Sequence, residues 1–132
     1  MNLVVDASAL IAATTTTSAD SKRLRDRLLA NTSHAPHLID AELGNVLRRM
    51  SHRGALTADH ARRVLASAPG LIDYRYEHRG ALATGAWAMR ANLTFYDALY
   101  VALAESFGAV LVTADIALAR GPRLPCDVDV VG

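Results

Sequence analysis

Four carboxylates stand where chemistry is possible. In MNLVVDASALIA an apolar run ends on Asp6, and in FGAVLVTADIALAR a second climbs through Thr113 into Asp115. Between them, LIDAELGNVL carries Glu42 with Asn45 one turn later, and TFYDALYVALA carries Asp97 three residues after Thr94. Each acid also has a purely structural reading. Asp6 and Asp115 suit N-caps, Asp97 with Thr94 fits a capping box, and Glu42 fits a solvated helix face. Gathered at one edge of a sheet, however, the four would repel: two unit charges about 4 Å apart cost on the order of 4 kcal/mol at an effective dielectric near 20. A cation must then offset them. Lys22, the sole lysine, lies on none of these stretches, Cys126 is the sole cysteine, and no His-rich spacing accompanies the acids. An all-oxygen donor set selects Mg²⁺ or Mn²⁺ over zinc or copper.

The elements that must position these acids alternate between strand and helix. Residues 2 to 5 read as a strand and 7 to 13 as a short helix, and SADSKRLRDRLLAN reads as a basic helix with Leu24, Leu28 and Leu29 on one side. Pro36 ends whatever precedes it. In HLIDAELGNVLRRMSHRG, Leu43, Val46, Leu47 and Met50 fall at i, i+3, i+4 and i+7, an amphipathic helix that Gly54 terminates; its other face carries Glu42, Asn45 and Arg49. Thr57 opens a helix to about Ala66, Pro69-Gly70 breaks the chain, and LIDYRYE alternates like a half-buried strand. A helix over about 80 to 91 follows, then an almost wholly apolar helix in TFYDALYVALAESFG. VLVT reads as a buried strand, DIALAR as a short helix and CDVDVV as an edge strand.

Strands separated by helices predict a three-layer α/β/α sandwich with a central, mostly parallel sheet. In such sheets ligands bind beyond the carboxyl ends of the strands, where the next helices present their N-termini. Asp6 and Asp115 both belong there.

The 132 residues favour one domain, residues 1 to 132, long enough to bury a core without staples. With 52% hydrophobic and 20% charged residues, disordered and fibrous classes are excluded. No disulfide framework or cysteine zinc site is possible. The first apolar stretch has no Lys or Arg before it and contains Asp6, wrong for a signal peptide, and no apolar run reaches membrane-spanning length. The expectation is a cytoplasmic protein with no membrane association. Net charge is only +1, yet thirteen of the fourteen basic residues are Arg. Arg23, Arg25 and Arg27 crowd one helix with Lys22, and Arg49 lies with Arg48 and Arg53 on another. They are candidates for phosphate contact, with solvated surface the plain alternative.

The ordered set VVDAS, LIDAELGNVL, TFYDALYVALA and LVTAD resembles the PIN-domain ribonucleases, and its size and spacing are similar to the VapC-type toxins of bacterial toxin–antitoxin pairs. Each fragment alone is weak; the four in order, spanning nearly the whole chain, are specific. The resemblance implies a metal-dependent endoribonuclease that leaves 3′-hydroxyl and 5′-phosphate ends. Asp6, Asp97 and Asp115 would hold one or two Mg²⁺ or Mn²⁺ ions, with Glu42 a ligand through water or of a second ion. Ser8 and Thr113 would orient an acid or a water, and Asn45 would fix Glu42 or contact substrate. The implied partners are RNA, a second copy in a homodimer, and a cognate antitoxin lying over the acidic groove.

Other classes weigh less. A phospho-acceptor receiver also places Asp at strand ends, but it wants paired acids early and a late Lys, and this chain has neither. A housekeeping nuclease without an antitoxin, or a non-catalytic module of the same fold, remains open; the second should lack one of the acids, and all four are present.

Overall fold

The computed structural model describes residues 1–131. Five strands form one sheet in the order β3-β2-β1-β4-β5: β1 (Asn2–Val5), β2 (Thr32–Pro36), β3 (Tyr74–Tyr76), β4 (Val110–Thr113) and β5 (Val128–Val130). Every pairing is parallel, so the sheet expected to be mostly parallel is wholly so. Seven helices supply the crossovers: α1 (Ala7–Thr14), α2 (Ala19–Ala30), α3 (Leu38–His52), α4 (Ala58–Ser67), α5 (Ala81–Ala88), α6 (Phe95–Phe107) and α7 (Ile116–Arg120). Helix α1 packs with α2 and α3, and α3 with α4. Helices α5 and α6 pair with each other, and α6 lies over β1, β2 and β4. The result is the expected three-layer α/β/α sandwich.

The centre of the sheet is apolar because it is covered on both sides. Leu3, Val4 and Val5 of β1 and Leu111 and Val112 of β4 are all fully buried. Helix α6 runs between them and α5, with every residue from Ala98 to Ala104 buried, which accounts for its nearly continuous apolar sequence. Helix α3 has the amphipathic face read from its sequence: Ile39, Leu43 and Leu47 are buried, and Val46 and Met50 are half-buried beside them.

Strand β2 is the element that periodicity does not reveal. Its sequence TSHAP is polar, yet Ser33, His34, Ala35 and Pro36 are all buried. It is held by specific hydrogen bonds in place of apolar side chains. Ser33 N–H donates to Asp73 Oδ2 at 2.8 Å, and the His34 ring reaches Tyr76 Oη at 2.7 Å through Nδ1 and Asn2 Oδ1 at 2.9 Å through Nε2. Two boundaries also differ from the sequence expectation. The third strand is only Tyr74–Tyr76, because Ala68–Leu71 closes as a 3₁₀ turn around Pro69, and the helix expected over about 80 to 91 is regular only over Ala81–Ala88.

The chain order positions the site. From β1 the chain moves outward to β2 and β3, then returns across the molecule to β4 and β5, so the winding direction reverses between β1 and β4. The pairing Val5↔Val112 brings the ends of these two strands side by side, and Asp6 N–H donates to Val112 O at 3.2 Å. Residues that follow β1 and β4 therefore share the crevice at the switch point.

Candidate metal centre

Asp6 is both a cap and the hub of a hydrogen-bonded group. As the N-cap of α1 it accepts Ala9 N–H on Oδ1 at 2.9 Å. The Ser8 hydroxyl donates to the same oxygen at 2.6 Å, and the buried Thr113 hydroxyl, at the end of β4, donates to Oδ2. Ser8 Oγ in turn accepts Ala114 N–H at 2.8 Å, and Thr113 Oγ1 accepts Asp115 N–H at 3.0 Å. Ser8 and Thr113 thus lock the β4–α7 turn onto Asp6. A carboxylate offers about four lone-pair positions; three are used here, which leaves room for one more partner.

The other acids arrive from three helices. Glu42 sits in the second turn of α3, whose start is pinned twice: His78 Nε2 accepts Leu38 N–H at 2.8 Å, and Arg75 holds Asp40 through paired bonds of 2.7 and 2.9 Å. Asp97 lies in the first turn of α6, where its own N–H donates to the capping Thr94 hydroxyl at 3.1 Å. Val101 and Ala104, further along its face, are fully buried, so Asp97 emerges half-buried at the top of a covered stripe. Asp115 is exposed and N-caps α7 by accepting Ala117 N–H at 2.9 Å.

The electrostatics tie the four together. Burial raises the Asp6 carboxyl above the usual range, opposed by the bonds from Ser8, Thr113 and Ala9 and reinforced by the Asp97 charge. Burial raises Glu42 as well, against the pull of the Tyr100 hydroxyl and with added repulsion from Asp6 and Asp97. Asp97 is raised by burial and then by the charge of Asp115, with the bond to Thr94 offsetting part of the shift. The charges therefore form a continuous repelling set. Among the described residues, no Lys, Arg or His lies within ion-pair distance of any of the four.

The donor set fits a hard divalent cation, since it is all oxygen, uncompensated and partly desolvated. Among the described residues no three acids already converge on one metal-sized point. Repulsion between uncompensated carboxylates favours that separation, and a bound cation would remove it.

Sequence reasoning missed Tyr100. It is 2% exposed, and its hydroxyl donates to Glu42 Oε1 at 2.6 Å. Burial and this bond to an anion both push the phenol far upward, so it stays a donor. Its signal was available: it lies three residues after Asp97 on the same helix face, and a buried Tyr in an Ala-Leu-Val run must find a partner for its tip. Asn45 is exposed three residues beyond Glu42 and makes no side-chain hydrogen bond among the described residues. Of the candidate phosphate-binding arginines, Arg23 pairs with Asp20, Arg27 with Asp129 on β5, and Arg25 donates to the carbonyls of Ala13 and Thr16 at 2.7 and 3.2 Å. Arg49 is exposed and forms no ion pair among the described residues.

Comparison with known proteins identifies the family of the chain. The family model described as PIN domain matches residues 3–124. The chain is 44% identical over 128 residues to Ribonuclease VapC1 of Mycobacterium tuberculosis, covering 97% of this chain and 96% of that protein. It is 41% identical over 129 residues to Ribonuclease VapC9 of the same organism, covering 98% of each. The crystal structure of PAE2754 from Pyrobaculum aerophilum superposes with a TM-score of 0.71 at 29% identity, covering 98% of this chain and 84% of that one. The VapBC2 structure from Rickettsia felis, described as bound to a DNA fragment from its promoter, has the same fold, with a TM-score of 0.73 at 14% identity over the whole of both chains. On matches that span nearly its full length, this chain belongs to the PIN-domain family and, within it, to the VapC ribonucleases.

Proposed function

We propose that this chain is an Mg²⁺- or Mn²⁺-dependent endoribonuclease and the toxin of a toxin–antitoxin pair. The observation that carries the reading is a continuous set of four repelling carboxylates at one end of the sheet, with no protein cation in ion-pair distance of them among the described residues. Asp6, Asp97 and Asp115 would hold the ion, with Glu42 a ligand through water or of a second ion. When bound, the ion supplies an activated water and neutralises charge that develops on the phosphodiester.

The chain's own residues do the rest. Ser8 and Thr113 fix both oxygens of Asp6, so its one remaining acceptor direction is defined. Tyr100 holds Glu42 Oε1 and opposes the effect of burial, which keeps Glu42 ionised down to a lower pH than its surroundings alone would allow. The raised carboxyls of Asp6, Glu42 and Asp97 make metal affinity increase with pH, because each must release its proton before it serves as a ligand.

The same site and the similar proteins support an antitoxin as one partner. Solved relatives are described as VapBC, from Rickettsia felis and Salmonella typhimurium. For this chain we place a cognate antitoxin over the acids, where an acidic site without metal would receive an Arg from a partner. The proposed setting is a homodimer in the cytoplasm acting on RNA. Among the described residues, no helix is long and apolar enough to cross a membrane.

The test is cleavage of single-stranded RNA by purified protein stripped with EDTA, with Mg²⁺ or Mn²⁺ added back. Asp6→Asn should slow cleavage about 100-fold or more, the equivalent of a few kcal/mol of lost transition-state stabilisation. Activity that is indifferent to EDTA and to this substitution would refute the reading.

A further inference from the structure

The carboxylate cluster poses a problem of grip, because it repels the phosphates it is proposed to cut. Net charge is only +1, and among the described residues seven of the fourteen Lys and Arg side chains are already engaged in ion pairs with neighbouring acids. Another kind of contact surrounds the site. Phe95 and Tyr96 immediately precede Asp97 in the first turn of α6, and both are exposed, Tyr96 by 61%. Helix α5 packs against α6 and the two are joined by residues 89 to 94, so the C-terminal end of α5 lies at the same end of the molecule as Asp97. That end of α5 carries Trp87, the sole tryptophan, also 61% exposed.

Arg90 sits over the Trp87 ring at 5.0 Å and is anchored by a 3.1 Å bond from Nη1 to Trp87 O. Among the described residues Arg90 forms no ion pair, and Phe95, Tyr96 and Trp87 stack on no other aromatic ring. Three exposed rings thus lie at one end of the α5–α6 hairpin, where they are open to contact. Their chemistry is that of base stacking: aromatic faces accept any base and an arginine adds cation–π and phosphate contact, whereas paired bases offer no free face.

We infer that Phe95, Tyr96 and Trp87, with Arg90, form a stacking platform beside the carboxylates that takes the unpaired bases of single-stranded RNA. This rests on the ribonuclease reading above and adds to it the residues that grip the bases of the strand.

The platform is tested with intact protein in Mn²⁺ and short mixed-sequence RNA, offered single-stranded or annealed to its complement. Stopped-flow fluorescence of the sole tryptophan should be quenched on mixing with the single strand, before cleavage, and not with the duplex. Tyr96→Ala and Trp87→Ala remove exposed rings, so both should fold normally, raise KM by about 5- to 100-fold each and change kcat little. Tyr96→Phe should retain the wild-type KM. Unchanged KM in both alanine variants, or equal quenching by duplex, overturns the platform while wild-type cleavage leaves the ribonuclease reading standing. Loss of a co-purified protein partner with RNA affinity unaltered also overturns it and assigns the rings to that partner. If the wild-type protein cleaves no RNA with either metal, the ribonuclease reading fails and the platform falls with it.

Discussion

The hydroxyl of Tyr100 on α6 donates a 2.6 Å hydrogen bond to Glu42 Oε1 on α3, joining two helices from different layers of the sandwich at the acid cluster. Tyr100→Phe keeps the ring and its packing and removes only this bond. Glu42 then loses the interaction that opposes its burial, so its carboxyl rises further. The acidic limb of the pH–rate profile should shift to higher pH, so that cleavage along that limb falls, with stability lowered by about 1 kcal/mol. A pH profile that superposes on wild type would show the bond to be structural only.

The raised carboxyls also predict how stability changes with pH. For Asp6, Glu42 and Asp97 the folded value lies above the unfolded one, so between the two the unfolded chain is ionised while the folded chain keeps its proton. Metal-free stability from these groups is therefore greatest below the ordinary carboxylate range and declines as pH rises through it toward the raised values. Asp97→Asn should flatten this decline and raise the metal-free Tm near neutral pH by about 4 °C for each kcal/mol of repulsion relieved. Added Mn²⁺ should stabilise the wild-type protein more than the variant. Thermal unfolding at several pH values with and without Mn²⁺ is the check.

Asp115 separates capping from metal binding. It caps a helix of only five residues and is exposed, so Asp115→Asn, which retains an acceptor for Ala117 N–H, should leave metal-free stability within about 0.5 kcal/mol of wild type. Weaker Mn²⁺ binding by calorimetry and markedly slower cleavage are expected. Normal cleavage would confine the site to Asp6, Glu42 and Asp97.

The arginines should divide by what they already hold. Arg25 is bonded to the end of α1 and Arg27 to Asp129 on β5, so alanine at either position should lower stability by about 1 kcal/mol. Arg49 has no such tie, and Arg49→Ala should leave stability unchanged, weaken RNA binding and reduce its salt slope by about one. Binding measured at several salt concentrations decides whether Arg49 contacts phosphate or is solvated surface.

The parts of this fold that were legible in the sequence are those whose burial is apolar. The runs that end on Asp6 and Thr113 read as strands because Val4, Val5, Leu111 and Val112 are covered on both faces, and α3 was marked by its period. Strand β2 was not legible because Ser33 and His34 satisfy their burial through Asp73, Asn2 and Tyr76, partners distant in sequence. The same distinction holds at the site. Asp6 and Asp115 were marked by strand ends and Asp97 by its apolar stripe. The Ser8–Asp6–Thr113 group depends on the parallel register of β1 with β4, and the Tyr100–Glu42 bond depends on two helices meeting across the sheet end; neither spacing is local.

The function proposed for the four acids is to hold a divalent ion with which the protein cuts RNA. It is tested most directly by single-turnover cleavage of single-stranded RNA by EDTA-stripped protein, wild type beside Asp97→Asn, across a Mn²⁺ titration. Stripped wild type should not cleave, recovery should be full and saturate with Mn²⁺, and Asp97→Asn should cleave at least about 100-fold more slowly at saturation. Cleavage by the stripped protein, or equal rates for the two proteins at saturating Mn²⁺, would contradict it.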